Sequence, residues 1–199
     1  MMTNTTLKKI EQLLVSSQTV FTVQDLATLW NVSNKISLYS NIRYYLEIGR
    51  LKKIHKGIYV VGELENINSF EVAQKLIIPS YISYYTALAT HGIIFQLYSS
   101  IHSMASQSKQ LTIFSKNEKF VYHKLKEKVF YNMLGIEDRK KYLIAGPERA
   151  ICDSLYFAPG LAFDSLKMIN FDLLKKVSKI YDNKRLEAEV ERIIFLERS

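Results

Sequence analysis

The stretch VFTVQDLATLWNVSNKISLYSNIRYYLEIGRLKKIHKGIYVV, residues 20–61, decides how the first part of this chain is read. Val20-Phe21-Thr22 is a short β-rich piece, and Thr22 stands three residues before Asp25, the spacing of a capping box with Asp in place of Glu. A short helix is therefore expected over Val23–Trp30. Asn31-Val32-Ser33 makes a turn, after which Ser33 or Asn34 caps a third helix that runs to about Ile48 and stops at Gly49. Between Arg50 and Val61 two β-rich runs flank a Lys56-Gly57 turn, the pattern of a hairpin. Upstream, Leu7, Ile10, Leu13 and Leu14 recur at helical spacing over about Thr5–Ser16, with Lys8, Lys9, Glu11 and Gln12 facing away. Three helices, two of them joined by a tight turn, and then a hairpin predict a winged helix-turn-helix domain over residues 1–62.

On a helical wheel the third helix has two unlike faces. Leu38, Ile42, Tyr45 and Gly49 fall in one narrow sector widened by Leu46, so this face packs inward. The opposite sector holds Ser33, Ile36, Ser37, Ser40, Arg43, Tyr44 and Glu47. Small hydroxyls, an arginine and a tyrosine can approach a DNA groove closely and donate to base edges or phosphates, and Ile36 is placed to touch thymine methyls. Glu47 suits a plain solvated face better. The hairpin carries Lys52, Lys53, His55 and Lys56 where a wing meets the phosphate backbone. The candidate DNA-binding residues are thus Ser33, Lys35, Ser37, Ser40, Arg43 and Tyr44 on the helix and Lys52, Lys53, His55 and Lys56 on the hairpin.

Charge agrees with that placement. The chain of 199 residues has a net charge of +8 and a sequence pI near 9.4. Residues 1–62 hold eight basic and three acidic side chains, whereas residues 63–160 hold eleven and nine, and residues 161–199 eight and seven. The excess is N-terminal, as expected of a surface that meets phosphates. With 48% apolar residues, seven Gly and three Pro, the composition excludes wholesale disorder and collagen-like classes. A single cysteine, Cys152, excludes an intramolecular disulfide and a cysteine-cluster zinc site, and fits a reducing compartment. No secretory signal is read at the start, so the cytoplasm is the expected location. Leu76–Ser108 lacks Lys, Arg, Asp and Glu, yet Pro79, His91, Gly92 and Gln96 interrupt it, and a buried helix followed by a strand is expected there rather than a membrane span.

From residue 69 onward the pattern changes. Ser69–Leu76 has helical spacing and is stopped by Pro79, and Ser83–Gly92 reads as a second helix with His91 in its last turn and Gly92 at its end. Strand-like runs follow at Ile101–Ala105, Leu111–Phe114, Phe120–His123, Val129–Met133 and Tyr142–Ala145, suggesting an antiparallel sheet. Gly146-Pro147-Glu148 opens a helix to Phe157, with Arg149 four residues before Asp153. Helices over about Phe171–Tyr181 and Lys184–Glu197 close the chain, the latter with Leu186, Val190, Ile193 and Ile194 on one face. The expected class is α+β: an N-terminal winged helix, then an α+β domain over residues 69–199 with an antiparallel sheet and C-terminal helices.

The string ending GRLKKIHKGIYVV, together with SYYTALATHGI at residues 83–93 and IAGPERAICDSLYF at residues 144–157, resembles the AbiEi-type antitoxins of bacterial abortive-infection, or type IV toxin–antitoxin, systems. The likeness covers most of residues 20–158. It implies an antitoxin that binds the promoter of its own operon through a winged helix and represses it. It also implies a nucleotidyltransferase-like toxin encoded alongside, countered without a stable complex. No short motif of this family carries the antitoxin activity, so no residue is assigned that role.

Enzyme chemistry finds little support in the letters, and neither an enzyme nor a cofactor is expected. A restriction-like nuclease would need a carboxylate-x-Lys pattern carried on a strand. No Glu is followed by x-Lys, and Asp138-x-Lys140 and Asp182-x-Lys184 sit in polar turns. His55, His91, His102 and His123 show no metal-ligand spacing, no Gly-rich phosphate loop is present, and Cys152 lies mid-helix beside Asp153, where a thiolate is disfavoured. The remaining alternative is a winged-helix regulator whose second domain senses a ligand or partner.

Overall fold

Thr22 and Asp25 form the reciprocal capping box that their spacing predicts: the Asp25 N–H donates to Thr22 Oγ1 at 3.0 Å and the Thr22 N–H to Asp25 Oδ2 at 2.8 Å. This junction joins β1 (Val20–Thr22) to α2 (Val23–Leu29) in a computed structural model that describes residues 4–96, 98–113 and 118–198. Before it lies α1 (Asn4–Val15); after it come α3 (Lys35–Glu47), β2 (Lys52–His55) and β3 (Ile58–Val60). Asn34, one of the two expected caps, accepts from the Ser37 N–H at 3.0 Å, and Gly49 at φ +69° supplies the left-handed turn that ends the helix. The strands pair antiparallel in the order β1-β3-β2, with a register shift between Lys53 and His55. Leu13, Phe21, Leu26, Trp30, Leu38, Ile42, Tyr45, Leu51 and Tyr59 form one buried cluster, and Trp30 and Tyr45 meet at 5.1 Å between ring centroids. Burying a side chain such as Leu26 fully contributes about 1.5–3 kcal/mol.

The chain divides into two compact units, the first built on Met1–Leu76 and the second on Ile77–Thr112 with Glu118–Ser199. The expected boundary at residues 63–68 therefore shifts, because α4 (Ser69–Leu76) is tied to β1. Glu71 is fully buried; its carboxylate accepts from the Thr19 N–H at 2.7 Å, the Val20 N–H at 3.0 Å and the Thr19 hydroxyl at 2.6 Å. Lys75 adds an ion pair to Asp25 at 2.9 Å. Burial raises the Asp25 pKa, but Lys75 and the Thr22 backbone bond outweigh it and hold the carboxyl below its ordinary value.

The second unit contains β4 (Ser80–Ile82), α5 (Tyr84–Thr90), β5 (Ser100–Ala105), β6 (Lys109–Ile113), β7 (Glu118–Lys124), α6 (Glu127–Phe130), β8 (Ile136–Asp138), β9 (Leu143–Ala145), α7 (Pro147–Phe157), α8 (Phe171–Ile180) and α9 (Lys184–Arg198). The six strands form one sheet in the order β6-β7-β5-β4-β9-β8. α5 packs on β5 and α7, and α7 in turn on β9, α8 and α9. The α+β class holds, but the antiparallel sheet does not: β5 pairs with β7 and β4 with β9 in parallel, while β4–β5 and β8–β9 are antiparallel. The reason is an insertion. β7 enters between β5 and β6, so these two consecutive runs, which read as a hairpin, are not neighbours.

Two other expectations change locally. The run Val129–Met133 is not a strand; Glu127–Phe130 forms a helical turn that buries Val129 and Phe130 together, where a strand would send neighbours to opposite faces. β4 and β8 were not anticipated. Phe114, the expected end of the second strand-like run, lies outside the described residues, as does the side chain of Leu7. No described helix is long and apolar enough to cross a membrane.

Candidate nucleic-acid interface

The inward face of α3 is fixed by the core. Leu38, Ile42 and Tyr45 are buried and Leu46 packs against the same cluster, as the wheel requires. The rotation of the helix is thereby set, and it turns Ile36, Ser37, Ser40, Arg43, Tyr44 and Glu47 outward, all of them exposed; Ser33, before the helix, and Lys35, at its first position, are exposed as well. Ser33 precedes the Asn34 cap, and the Ser37 backbone N–H is the one that cap engages. Arg43 and Lys35 have no ion-pair partner among the described residues. Tyr44 is the most engaged of the set: its ring meets Tyr45 edge-on at 5.4 Å and 37% of the residue remains accessible.

Between α2 and the start of α3 the surface is concave, a cleft of about 390 Å³ lined in part by Gln24, Thr28, Asn31, Ser33, Lys35 and Tyr39. Asn31 turns the chain there with φ +50°, a conformation that Asn tolerates better than most residues. Tyr39, 54% exposed, was not among the candidates read from the sequence, although its wheel position next to Ile36 could have suggested it. Gln24 and Thr28 of α2 were missed for another reason, because attention to the third helix ignores the groove that its partner helix helps to form.

The hairpin divides its basic residues. Lys53 and Lys56 are exposed and have no ion-pair partner among the described residues, and His55 is half-buried. Lys52 is already engaged, its Nζ 2.6 Å from Glu63 Oε2. The Val23 N–H donates to the Gly57 carbonyl at 3.2 Å, which ties the tip of the hairpin to the start of α2. The helix candidates other than Lys35 thus share one exposed face; on the hairpin Lys52, Lys53 and His55 lie along β2 and Lys56 in the turn, with Lys52 drawn to Glu63.

In the second unit the charged pair of α7 is occupied internally. Arg149 and Asp153 are fully buried. The Arg149 guanidinium donates to the carbonyls of Val129 at 2.8 Å, Asn132 at 3.1 Å and Leu134 at 3.3 Å and to the Tyr81 hydroxyl at 3.0 Å. Asp153 accepts from the hydroxyls of Ser83 at 2.6 Å, Tyr181 at 2.5 Å and Tyr81 at 3.1 Å, with Arg149 Nε at 3.5 Å. Burial works against the Arg149 charge, but Asp153 beside it more than compensates and its pKa is raised. Gly135, at φ +76°, lets the loop pass so close that a Cβ there would stand 3.0 Å from Arg149 Cβ. Cys152 is buried, and burial, then Asp153, pushes its thiol well above its ordinary pKa. His91 Nε2 lies 2.8 Å from the Ala145 carbonyl, joining α5 to β9. Asp138 is exposed and its Oδ1 accepts from the Lys140 N–H at 2.7 Å, a turn bond, and Asp182 lies in a turn with φ +49°. Among the described residues no three His, Cys, Asp or Glu side chains are grouped to hold a metal ion.

One pair went unread in the sequence. His102 Nδ1 and His123 Nε2 are 2.9 Å apart on the parallel strands β5 and β7, with their rings stacked. Burial, then the neighbouring His123 and Lys119, lowers His102 to about 4, and burial lowers His123 as well.

No protein-family model and no curated protein matches the chain. A solved structure is similar: that of the RV2827C protein from Mycobacterium tuberculosis, at 13% identity and a TM-score of 0.51, covering 96% of this chain and 76% of that one. The likeness is one of fold alone.

Proposed function

We propose that this protein is a sequence-specific DNA-binding repressor of its own operon and a type IV antitoxin. In this reading residues 1–62 form a winged helix in which α3 enters the major groove and the β2–β3 hairpin, the wing, lies against phosphates. The second domain counters a nucleotidyltransferase-like toxin encoded beside it, without a stable complex. The observation that carries the DNA-binding part is the α3 face itself: a row of exposed small hydroxyls with Arg43 free of any ion pair among the described residues, on a helix whose rotation the core fixes. The element order of the first unit, the basic hairpin after α3 and the N-terminal charge excess support it. The antitoxin part rests on the resemblance of residues 83–93 and 144–157 to the AbiEi-type family.

Two measurements test the reading. Gel shifts with duplex DNA from upstream of the protein's own gene, against unrelated DNA of equal length, should show tighter binding to the former and a steep loss of affinity with salt. Equal affinity for both would reduce the protein to a nonspecific binder. Co-expression with the neighbouring gene should restore growth that the neighbour alone arrests. If no nucleotidyltransferase-like neighbour exists, or folded protein gives no protection, the antitoxin part fails and a regulator with a sensing second domain takes its place.

A further inference from the structure

The exposed face of α3 contains a narrower feature. Ile36, Ser40, Arg43 and Glu47 follow one another at four-, three- and four-residue steps, so they lie in a single strip along the middle of that face. Ile36 is 80% exposed. It is the only aliphatic side chain left in solvent on this helix, and it stands in the first turn between Ser33, Ser37 and Ser40, whose short hydroxyls do not shield it. Leaving an isoleucine so open forfeits its burial within the fold, and nothing in the packing of the first unit requires a large side chain at that position.

Resting on the DNA-binding reading above, we propose that Ile36 and Arg43 set the base preference of the helix: Ile36 packs on a thymine C5-methyl group and Arg43 pairs with a guanine. The chemistry follows from what the major groove displays. The thymine methyl is the one apolar group among the base edges there, and a guanidinium spans the O6 and N7 acceptors of guanine. The position follows from the helix. Recognition helices reach base edges with their N-terminal residues, and Ile36 lies in the first turn of α3. At 1.5 Å rise per residue, Arg43 stands about 10 Å further along the axis, which at 3.4 Å per base is about three base steps. Glu47, one turn beyond Arg43, puts a negative charge at the far end of the strip and favours seating the helix by its N-terminal end. The preferred site therefore holds a thymine and a guanine separated by about three steps.

The test uses the full chain. Binding sites are enriched from a randomised DNA duplex pool, and affinity for the enriched site is measured with thymines replaced one at a time by deoxyuridine, which removes only the methyl group. Guanines are likewise replaced by 7-deazaguanine, which removes only N7. One thymine should account for about a fourfold loss with the wild-type protein, the worth of one buried methyl group. The same replacement should cost Ile36→Ala nothing further. One guanine about three steps away should behave in the same way toward Arg43→Ala. Because Ile36 and Arg43 are exposed, both variants should fold normally, checked by the fluorescence of Trp30, the chain's one tryptophan. If the pool enriches a site but deoxyuridine weakens wild type and Ile36→Ala alike, or neither, the assignment of Ile36 is overturned while sequence-specific binding stands. If no site is enriched at all, base reading by α3 falls, and this proposal with it.

Discussion

The helices α3 and α7 are the two stretches that stand out in the sequence, and they use their polar side chains in opposite ways. On α7, Arg149 and Asp153 are fully buried and each is bonded to several partners. On α3, Arg43, Lys35 and the serines face solvent with no ion pair among the described residues. A recognisable motif and an available motif are therefore different things here. Arg149 and Asp153 hold their own unit together, while the polar side chains of α3 are left to solvent or to an outside partner. Substitutions on the two helices should accordingly separate stability from binding.

The largest effect is expected at Arg149. Arg149→Met keeps much of the volume but leaves three carbonyl groups and the Asp153 carboxylate without their cation, inside the fold. Removing one partner of a buried pair costs about 3–5 kcal/mol. Urea denaturation followed by circular dichroism should show that loss, and an unchanged midpoint would place Arg149 with the dispensable residues and break the comparison. Next in size is Arg43→Ala, which should cost about 1–3 kcal/mol of DNA affinity and blur sequence preference, with stability unchanged within about 0.5 kcal/mol. If it destabilised the protein as Arg149→Met does, α3 would be structural too.

How much of this was legible in the sequence follows the same division. Local devices were readable: the Thr22–Asp25 capping box, the Asn34 cap, Pro147 at the start of α7 and the apolar spacing of α3 each act within one turn of the chain. The sheet was not, because its order depends on pairings far apart. β4 is three consecutive buried residues, Ser80-Tyr81-Ile82, without the alternation that marks a half-buried strand, and no local signal says that β7 separates β5 from β6. The His102–His123 pair was hidden for that reason, since only the parallel register of β5 and β7 brings the rings together. At the candidate interface the wheel sorted exposed from buried residues correctly, yet it could not reveal that Glu63, read as linker, neutralises Lys52.

The histidine pair extends the comparison to pH. Both imidazoles are held below their ordinary pKa, His102 at about 4, so both are neutral in the folded protein at pH 7. Unfolding raises their affinity for protons. Their contribution to stability is therefore complete above about pH 6.5 and is lost as the pH falls toward 4. Because each ring is partly exposed, solvent screens the effect, and it should be smaller than the loss at Arg149. Urea midpoints measured from pH 7.5 to 4.5 should decline in wild type and decline less in His102→Gln. Parallel slopes would mean that other groups govern the acid side.

The smallest effects should come from the hairpin, where two lysines four residues apart differ in what they touch. Lys56 is exposed and has no ion-pair partner among the described residues, whereas Lys52 lies 2.6 Å from Glu63. An exposed ion pair is worth no more than about 1 kcal/mol, so Lys52 is not locked in place, but its charge is already offset locally and releases fewer counterions from DNA. Lys56→Ala should therefore weaken every DNA sequence alike and lower the salt dependence of binding by about one unit of slope. Lys52→Ala should lower it less. Glu63→Gln should remove the difference by freeing Lys52, steepening the salt dependence and tightening binding without changing sequence preference. Equal slopes for Lys52→Ala and Lys56→Ala, with Glu63→Gln silent, would show that engagement with a neighbour does not decide which basic side chains are available, and the contrast drawn between α3 and α7 could not be extended to the hairpin.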